Sequence, residues 1–225
     1  MSRKAKRRSK RKPPVTAGSR ARIVWSSLLV SMTSVGGLLW VLQGGPTPRL
    51  DGVSLPVMVA AAGPSSIEGV FKTRAKVQPQ RWQAIVIHHS GSTFGSPAEI
   101  EAQHRAMNLE GLGYHFVVGN GSGMGNGEVR VGYRWLDQLP GAHVAGPQGE
   151  WFNRNAIGIC LVGDGRKRGF EAEQIRRTVE LVSTLCERLG IPSDRVYLHS
   201  DVAQTDNPGR FFPEAAFREQ LARSR

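Results

Sequence analysis

Twenty consecutive residues without a charge, Ile23 to Leu42, directly follow a segment in which every charge is positive, and this juxtaposition confines any folded domain to the C-terminal side. As a helix rising about 1.5 Å per residue, the uncharged run would extend about 30 Å, the thickness of bilayer hydrocarbon. Trp25 and Trp40 stand near its ends, where amphipathic rings favour the membrane interface, and the basic cluster before it marks the cytoplasmic side. The expectation is a single inner-membrane span over residues 23–42, retained as an anchor, with the rest of the chain outside the cytoplasm, in the periplasm. Ser26, Ser27, Ser31, Thr33, Ser34, Gly36 and Gly37 dilute the run, and the small residues of Val59 to Ala62 would equally suit cleavage of a signal and secretion.

Residues 1–22 hold ten of the 30 Lys and Arg and no acidic residue, so self-repulsion and the lack of apolar side chains exclude a packed core there. The formal charge of +12 points to nucleic acid at first sight. The rest of the chain, however, carries 20 basic and 18 acidic side chains and is nearly neutral, so no nucleic-acid partner is expected. Residues 43–80 contain Gly, Pro and Ser clusters and one short apolar run, Leu55 to Ala62, which reads as a linker. The folded domain is expected over 81–225. Its two cysteines, Cys160 and Cys186, are too few for a disulfide scaffold. An oxidising compartment would allow them to pair, and the sequence does not decide it. Nor does it set an oligomeric state.

Within the domain, Ala84 to Ile87 is a continuous apolar run ending in His88-His89-Ser90-Gly91, as suits a strand buried on both faces that opens into a loop. Ser96-Pro97-Ala98-Glu99 combines a capping box with proline at the first helical position, predicting a helix to about Asn108. Tyr114 to Val118 and the alternating Glu128 to Tyr133 read as a hairpin around a glycine-rich loop. That loop is followed by a strand, not a helix, so it offers no phosphate site. Asn155 to Val162 is a further apolar strand. Glu171 to Leu189 places Ile175, Val179, Val182, Cys186 and Leu189 on one helical face, stopped by Gly190 and Pro192. Arg195 to Leu198 and Pro213 to Arg223 give a last strand and helix. The whole predicts an α/β domain on a mixed central sheet flanked by helices.

All six histidines lie between positions 88 and 199, and His88 and His199 end predicted strands. Hydrolytic zinc sites use about three protein ligands and an open position for water. Asp206, in a loop braced by Pro208 and Gly209, is a candidate third ligand. From spacing alone this signal is weak, and satisfied structural histidines are the reading it favours.

Five ordered motifs narrow the choice: Ile87-His88-His89-Ser90, Gly113-Tyr114-His115-Phe116, Gly141-Ala142-His143-Val144, Asn155 to Gly163, and His199-Ser200-Asp201-Val202 with Thr205 and Pro208-Gly209. Over roughly residues 81–215 the chain resembles the zinc-dependent N-acetylmuramoyl-L-alanine amidases, the family shared by amidase-type phage lysozymes and peptidoglycan recognition proteins. The resemblance implies hydrolysis of the amide between N-acetylmuramic acid and L-alanine in peptidoglycan or muropeptides. It makes His88 and His199 ligands of Zn2+ and puts the Tyr114 hydroxyl beside the zinc-bound water. Thr205 matches a residue that steadies the transition state. His143 matches a residue of the substrate groove, against a role in holding its loop. His89, next to a ligand, is either a structural neighbour or a second groove residue. Cys160 stands where some relatives carry a catalytic Glu, so that acid/base group is absent.

The third ligand departs from the pattern. The usual Cys position holds Asn207, a poor zinc ligand. Some members use Asp just before Pro-Gly, and Thr205-Asp206-Asn207-Pro208-Gly209 reads as that pattern with one residue inserted, which makes Asp206 the expected ligand. With neither bound, the domain would resemble the recognition proteins that have lost zinc and only bind wall fragments. His104, on the first helix, and His115, facing away from Tyr114, are expected to be packed and hydrogen-bonded. Trp151 and Phe152 are read as a loop pair able to contact glycan or peptide.

Overall fold

A computed structural model describes residues 66–223. The basic tail, the 23–42 segment and the linker up to residue 65 lie outside the described residues. Among the described residues no helix is long and apolar enough to cross a membrane.

Five strands form one mixed sheet: β1 (Ala84–His89), β2 (Phe116–Val118), β3 (Val129–Val131), β4 (Ala156–Leu161) and β5 (Val196–Leu198), in the order β3-β2-β4-β1-β5. β1 runs parallel to both β4 and β5, and β2 is parallel to β4 and antiparallel to β3. The central pair, β1 and β4, is buried at every residue, as their unbroken apolar runs require of strands covered on both faces.

Side-chain alternation splits β1 between two layers. Ile85 and Ile87 face the main core with Phe116, Val118, Ile157 and Ile159. That face is covered by the long helix α4 (Ala172–Leu189), whose Ile175, Val179, Val182 and Leu189 are buried as the periodicity predicts, and by α6 (Glu214–Arg223) through Phe217 and Leu221. Gly190, at φ 69°, ends α4 in the left-handed conformation. Ala84 and Val86 face the other way, with Val144, Phe152, Ala156 and Val202. His88 follows Val86 on that side. Cys160, its partner in the register, packs there with Val117 and Tyr114.

The helix predicted from the capping box is α1 (Pro97–Ala106). Ser96 Oγ accepts from the Glu99 amide at 3.4 Å and donates to the Glu99 carboxylate at 2.8 Å. Three features differ from the sequence reading. The first hairpin is shorter, because Tyr133 opens a one-turn helix, α2 (Tyr133–Leu136), instead of extending β3. Trp151 and Phe152 lie in a helix, α3 (Gly149–Asn155), and not in a loop: Phe152 is buried and Trp151 exposed. Finally, Ile67 and Val70, on a 3-10 turn at Ile67–Phe71 within the expected linker, are buried in the main core. The Val70 carbonyl accepts from the Trp135 indole at 2.7 Å.

Candidate active site

His88, at the end of β1, is wholly buried and meets three rings. Its centroid lies 4.3 Å from His199, 5.0 Å from His143 and 5.1 Å from Tyr114. His199 reaches this point because β5 lies beside β1 and because α5 (His199–Val202) starts as β5 ends. The opposite alternation sends His89 to the other layer. There its Nδ1 accepts from the Gly165 amide at 2.9 Å and lies 3.9 Å from Asp164. Two adjacent histidines thus serve different layers, and His89 braces the loop after β4. Arg166, helped by Lys167, holds the Asp164 carboxyl well below the usual range, so that loop keeps its negative charge.

Burial, then the neighbouring imidazoles, depress His88 well below the ordinary histidine value, and burial followed by His89 lowers His199. Both rings are therefore neutral at pH 7, the form that binds a metal. His88 Nδ1 and both ring nitrogens of His199 are buried with no hydrogen-bond partner. Orphaned buried nitrogens are costly unless something engages them. Three of them on two facing imidazoles fit the histidine pair of a zinc site.

The third ligand is a different matter. Among the described residues no group of three or more His, Cys, Asp or Glu side chains is arranged to hold a metal ion. Asp206 is exposed, and its charge acts on His89 and Arg166. Asn207 is committed elsewhere: its Oδ1 accepts from the His89 amide at 2.8 Å and its Nδ2 donates to the His89 carbonyl at 3.1 Å. Thr205 is exposed on the wall of an open cleft of about 650 Å³ lined by Ala145 to Gln148 and His199 to Thr205. The structure thus brings together His88, His143, His199 and Tyr114, and leaves Thr205 on the cleft wall and Asp206 exposed.

Tyr114 lies between His88 and His104, with ring centroids 5.1 Å from each. Burial, then the Cys160 thiol, push its phenol well above the ordinary value, so it is a protonated donor at any working pH. His104 accepts from the Gly113 amide at 2.9 Å, the packed role expected of it. His115 is likewise buried and bonded: Nδ1 accepts from the Gly158 amide at 3.0 Å and Nε2 meets the Leu139 carbonyl at 3.1 Å.

Sequence reasoning missed what seats His143. A Cβ on Gly158 would meet His143 Cδ2 at 2.5 Å, and one on Gly141 would meet the same atom at 2.3 Å. These two glycines form a slot for the ring, and one of them interrupts the apolar strand β4. A lone glycine in a strand is a signal of close approach that was available in the sequence.

A pH dependence follows from the buried rings. His115 is depressed well below the ordinary histidine value of 6.5, by burial first and His143 second. Above pH 6.5 both folded and unfolded chains hold it neutral, and below that pH the unfolded chain takes up a proton that the folded one refuses. Stability should therefore fall on acidification, by up to about 1.4 kcal/mol per pH unit for each such histidine. Denaturant unfolding of the metal-free protein between pH 7 and 5 checks this, and a flat profile would contradict it.

The fold has known counterparts. The structure is similar to the endolysin N-acetylmuramoyl-L-alanine amidase LysCS from Clostridium intestinale URNW, with TM-score 0.54 and 24% identity over 67% of this chain and 90% of that one. The amidase LysC from the same organism matches at TM-score 0.54 and 24% identity, covering 67% of this chain and 92% of that one. Drosophila peptidoglycan recognition protein SA matches at TM-score 0.49 and 22% identity, over 62% and 78% of the two chains. No curated protein matches. The fold is thus that of the two Clostridium amidases. The model of the family described as N-acetylmuramoyl-L-alanine amidase matches residues 78–210, and the chain belongs to that family.

Proposed function

We propose that the domain hydrolyses the amide between N-acetylmuramic acid and L-alanine in peptidoglycan, with zinc held by His88 and His199 and completed by Asp206. The observation that carries this reading is the set of three unpartnered ring nitrogens on two adjacent, neutral imidazoles, one of which, His199, lines an open cleft. Zinc bound there would supply a low-pKa water and polarise the lactyl carbonyl. The protein's own contribution is positional. Tyr114, kept protonated, offers its hydroxyl to the developing oxyanion or to the attacking water, and Thr205 on the cleft wall steadies the same charge. The cleft between residues 145–148 and 199–205 receives the glycan and stem peptide. Residues 23–42 would hold the domain at the outer face of the membrane, close to its substrate.

Tyr114→Phe should lower kcat about 100- to 1,000-fold, the usual cost of one oxyanion donor, with little change in zinc content. The test is release of L-alanine amino groups from purified peptidoglycan by the full-length protein. Wild-type rates in Tyr114→Phe would remove the tyrosine from the mechanism.

A second reading, a muropeptide-binding module without turnover, is favoured by one specific observation: the Asn207 carboxamide is engaged by the His89 backbone through both its oxygen and its nitrogen. Saturable muropeptide binding with no hydrolysis in added zinc would decide for it.

A further inference from the structure

His143 occupies the place expected of a substrate contact, yet it is 7% exposed and both its ring nitrogens have partners within the protein. Its Nε2 is 3.3 Å from the Ala156 carbonyl and its Nδ1 is 3.1 Å from His88 Nε2. A carbonyl can only accept, so His143 Nε2 must carry the proton. A buried neutral imidazole has one N–H, which leaves Nδ1 as a bare acceptor. The contact with His88 is then a hydrogen bond only if His88 donates from Nε2. That in turn leaves His88 Nδ1 without a proton, and His88 Nδ1 is the atom that lacks any partner.

We propose that His143 is a positioning residue: the order Ala156 carbonyl, His143, His88 fixes the tautomer and ring angle of His88, so that its Nδ1 lone pair stands ready for a metal. The proposal rests on the zinc reading above for its consequence, but the proton order itself is a property of the metal-free chain. Orienting partners of this kind set which ring nitrogen binds and how basic it is.

The surroundings are built to hold the relay still. Gly141 and Gly158 leave room for the ring, which a Cβ at either position would strike. Asn153, on α3, clamps the backbone of the same loop: its Oδ1 accepts from the amides of His143 at 2.8 Å and Val144 at 3.0 Å, and its Nδ2 donates to the Val144 carbonyl at 2.8 Å. The acceptor at the head of the relay, Ala156, belongs to β4, the strand paired with β1, so both ends are tied to the sheet.

The experiment has two parts, both on the full-length chain. In metal-free protein labelled with 15N at histidine, the ring nitrogen shifts of wild type should show His88 and His143 each protonated at Nε2 alone, and His143→Phe should leave His88 a mixture of tautomers. Zinc affinity, by competition with a chromophoric chelator, should fall about 10- to 100-fold in His143→Phe. His143→Gln should recover most of it, since a carboxamide can still donate to Ala156 and accept from His88. A His88 proton on Nδ1 in wild type, or a folded His143→Phe with unchanged zinc affinity, overturns the proposal. Failure of wild type to bind zinc defeats the zinc reading instead, and the wild-type spectrum then decides the proton order alone. It decides it also if His143→Phe does not fold.

Discussion

His88→Ala should abolish zinc binding and lower amidase activity about a thousandfold or more while leaving the domain folded. The side chain lies at the end of β1, beyond the Ile85 and Ile87 that anchor the strand in the main core, and its ring touches His199, His143 and Tyr114. Truncation to Ala removes one of the two facing imidazoles and leaves His143 Nδ1 without a donor. Lewis-acid assistance is worth several kcal/mol in hydrolysis, and each 1.4 kcal/mol is about tenfold in rate, hence the magnitude. The measurement is amidase turnover on purified wall together with zinc stoichiometry by elemental analysis. Full activity in the variant would sink the proposed mechanism. Loss of zinc with unchanged binding of muropeptides would separate recognition from chemistry.

The second large effect concerns stability. Trp135→Ala should destabilise the domain by about 3–5 kcal/mol from the deleted core volume, with about 1–3 kcal/mol more from the stranded Val70 carbonyl. Trp135 is completely buried, tilted against Phe116 at 5.0 Å and Trp82 at 5.8 Å, and its indole N–H is the donor to Val70. For a domain of this size each kcal/mol is worth about 2–4 °C, so a fall in Tm of at least about 6 °C is expected. Because the partner carbonyl lies on the 67–71 turn, the same variant should expose that segment to protease. A loss of stability without new cleavage there would show that the turn is held by other contacts.

The legible parts of the fold were those in which one signal dominates locally. The apolar run before His88, the Ser96-Pro97-Glu99 cap and the 18-residue amphipathic α4 each announce themselves within a short window. The turn at 67–71, α2 and α3 do not, since helices of four to seven residues carry too few turns for a period to show. Tyr133 alternates with Val129 and Val131 as a strand residue would, but its hydroxyl is drawn to the Glu110 carbonyl at 2.5 Å and the chain turns helical there. At the site, it was the resemblance that set His88 apart from His89 in the sequence, and the structure supplies the physical reason, since alternation sends the two rings to different layers. The seating of His143 was not legible, because it depends on glycines at 141 and 158 and on Asn153, which only the folded sheet brings around one ring.

Asn207 has a consequence beyond the question of the missing ligand. A carboxamide is a peptide group carried on a side chain, one donor and one acceptor in a plane, and at His89 it mimics the next rung that β5 would have added to the ladder. Aspartate could copy only the accepting half, and cysteine neither half well. Position 207 therefore faces a choice between zipping the sheet edge shut and gripping a cation, and this chain has chosen the zipper.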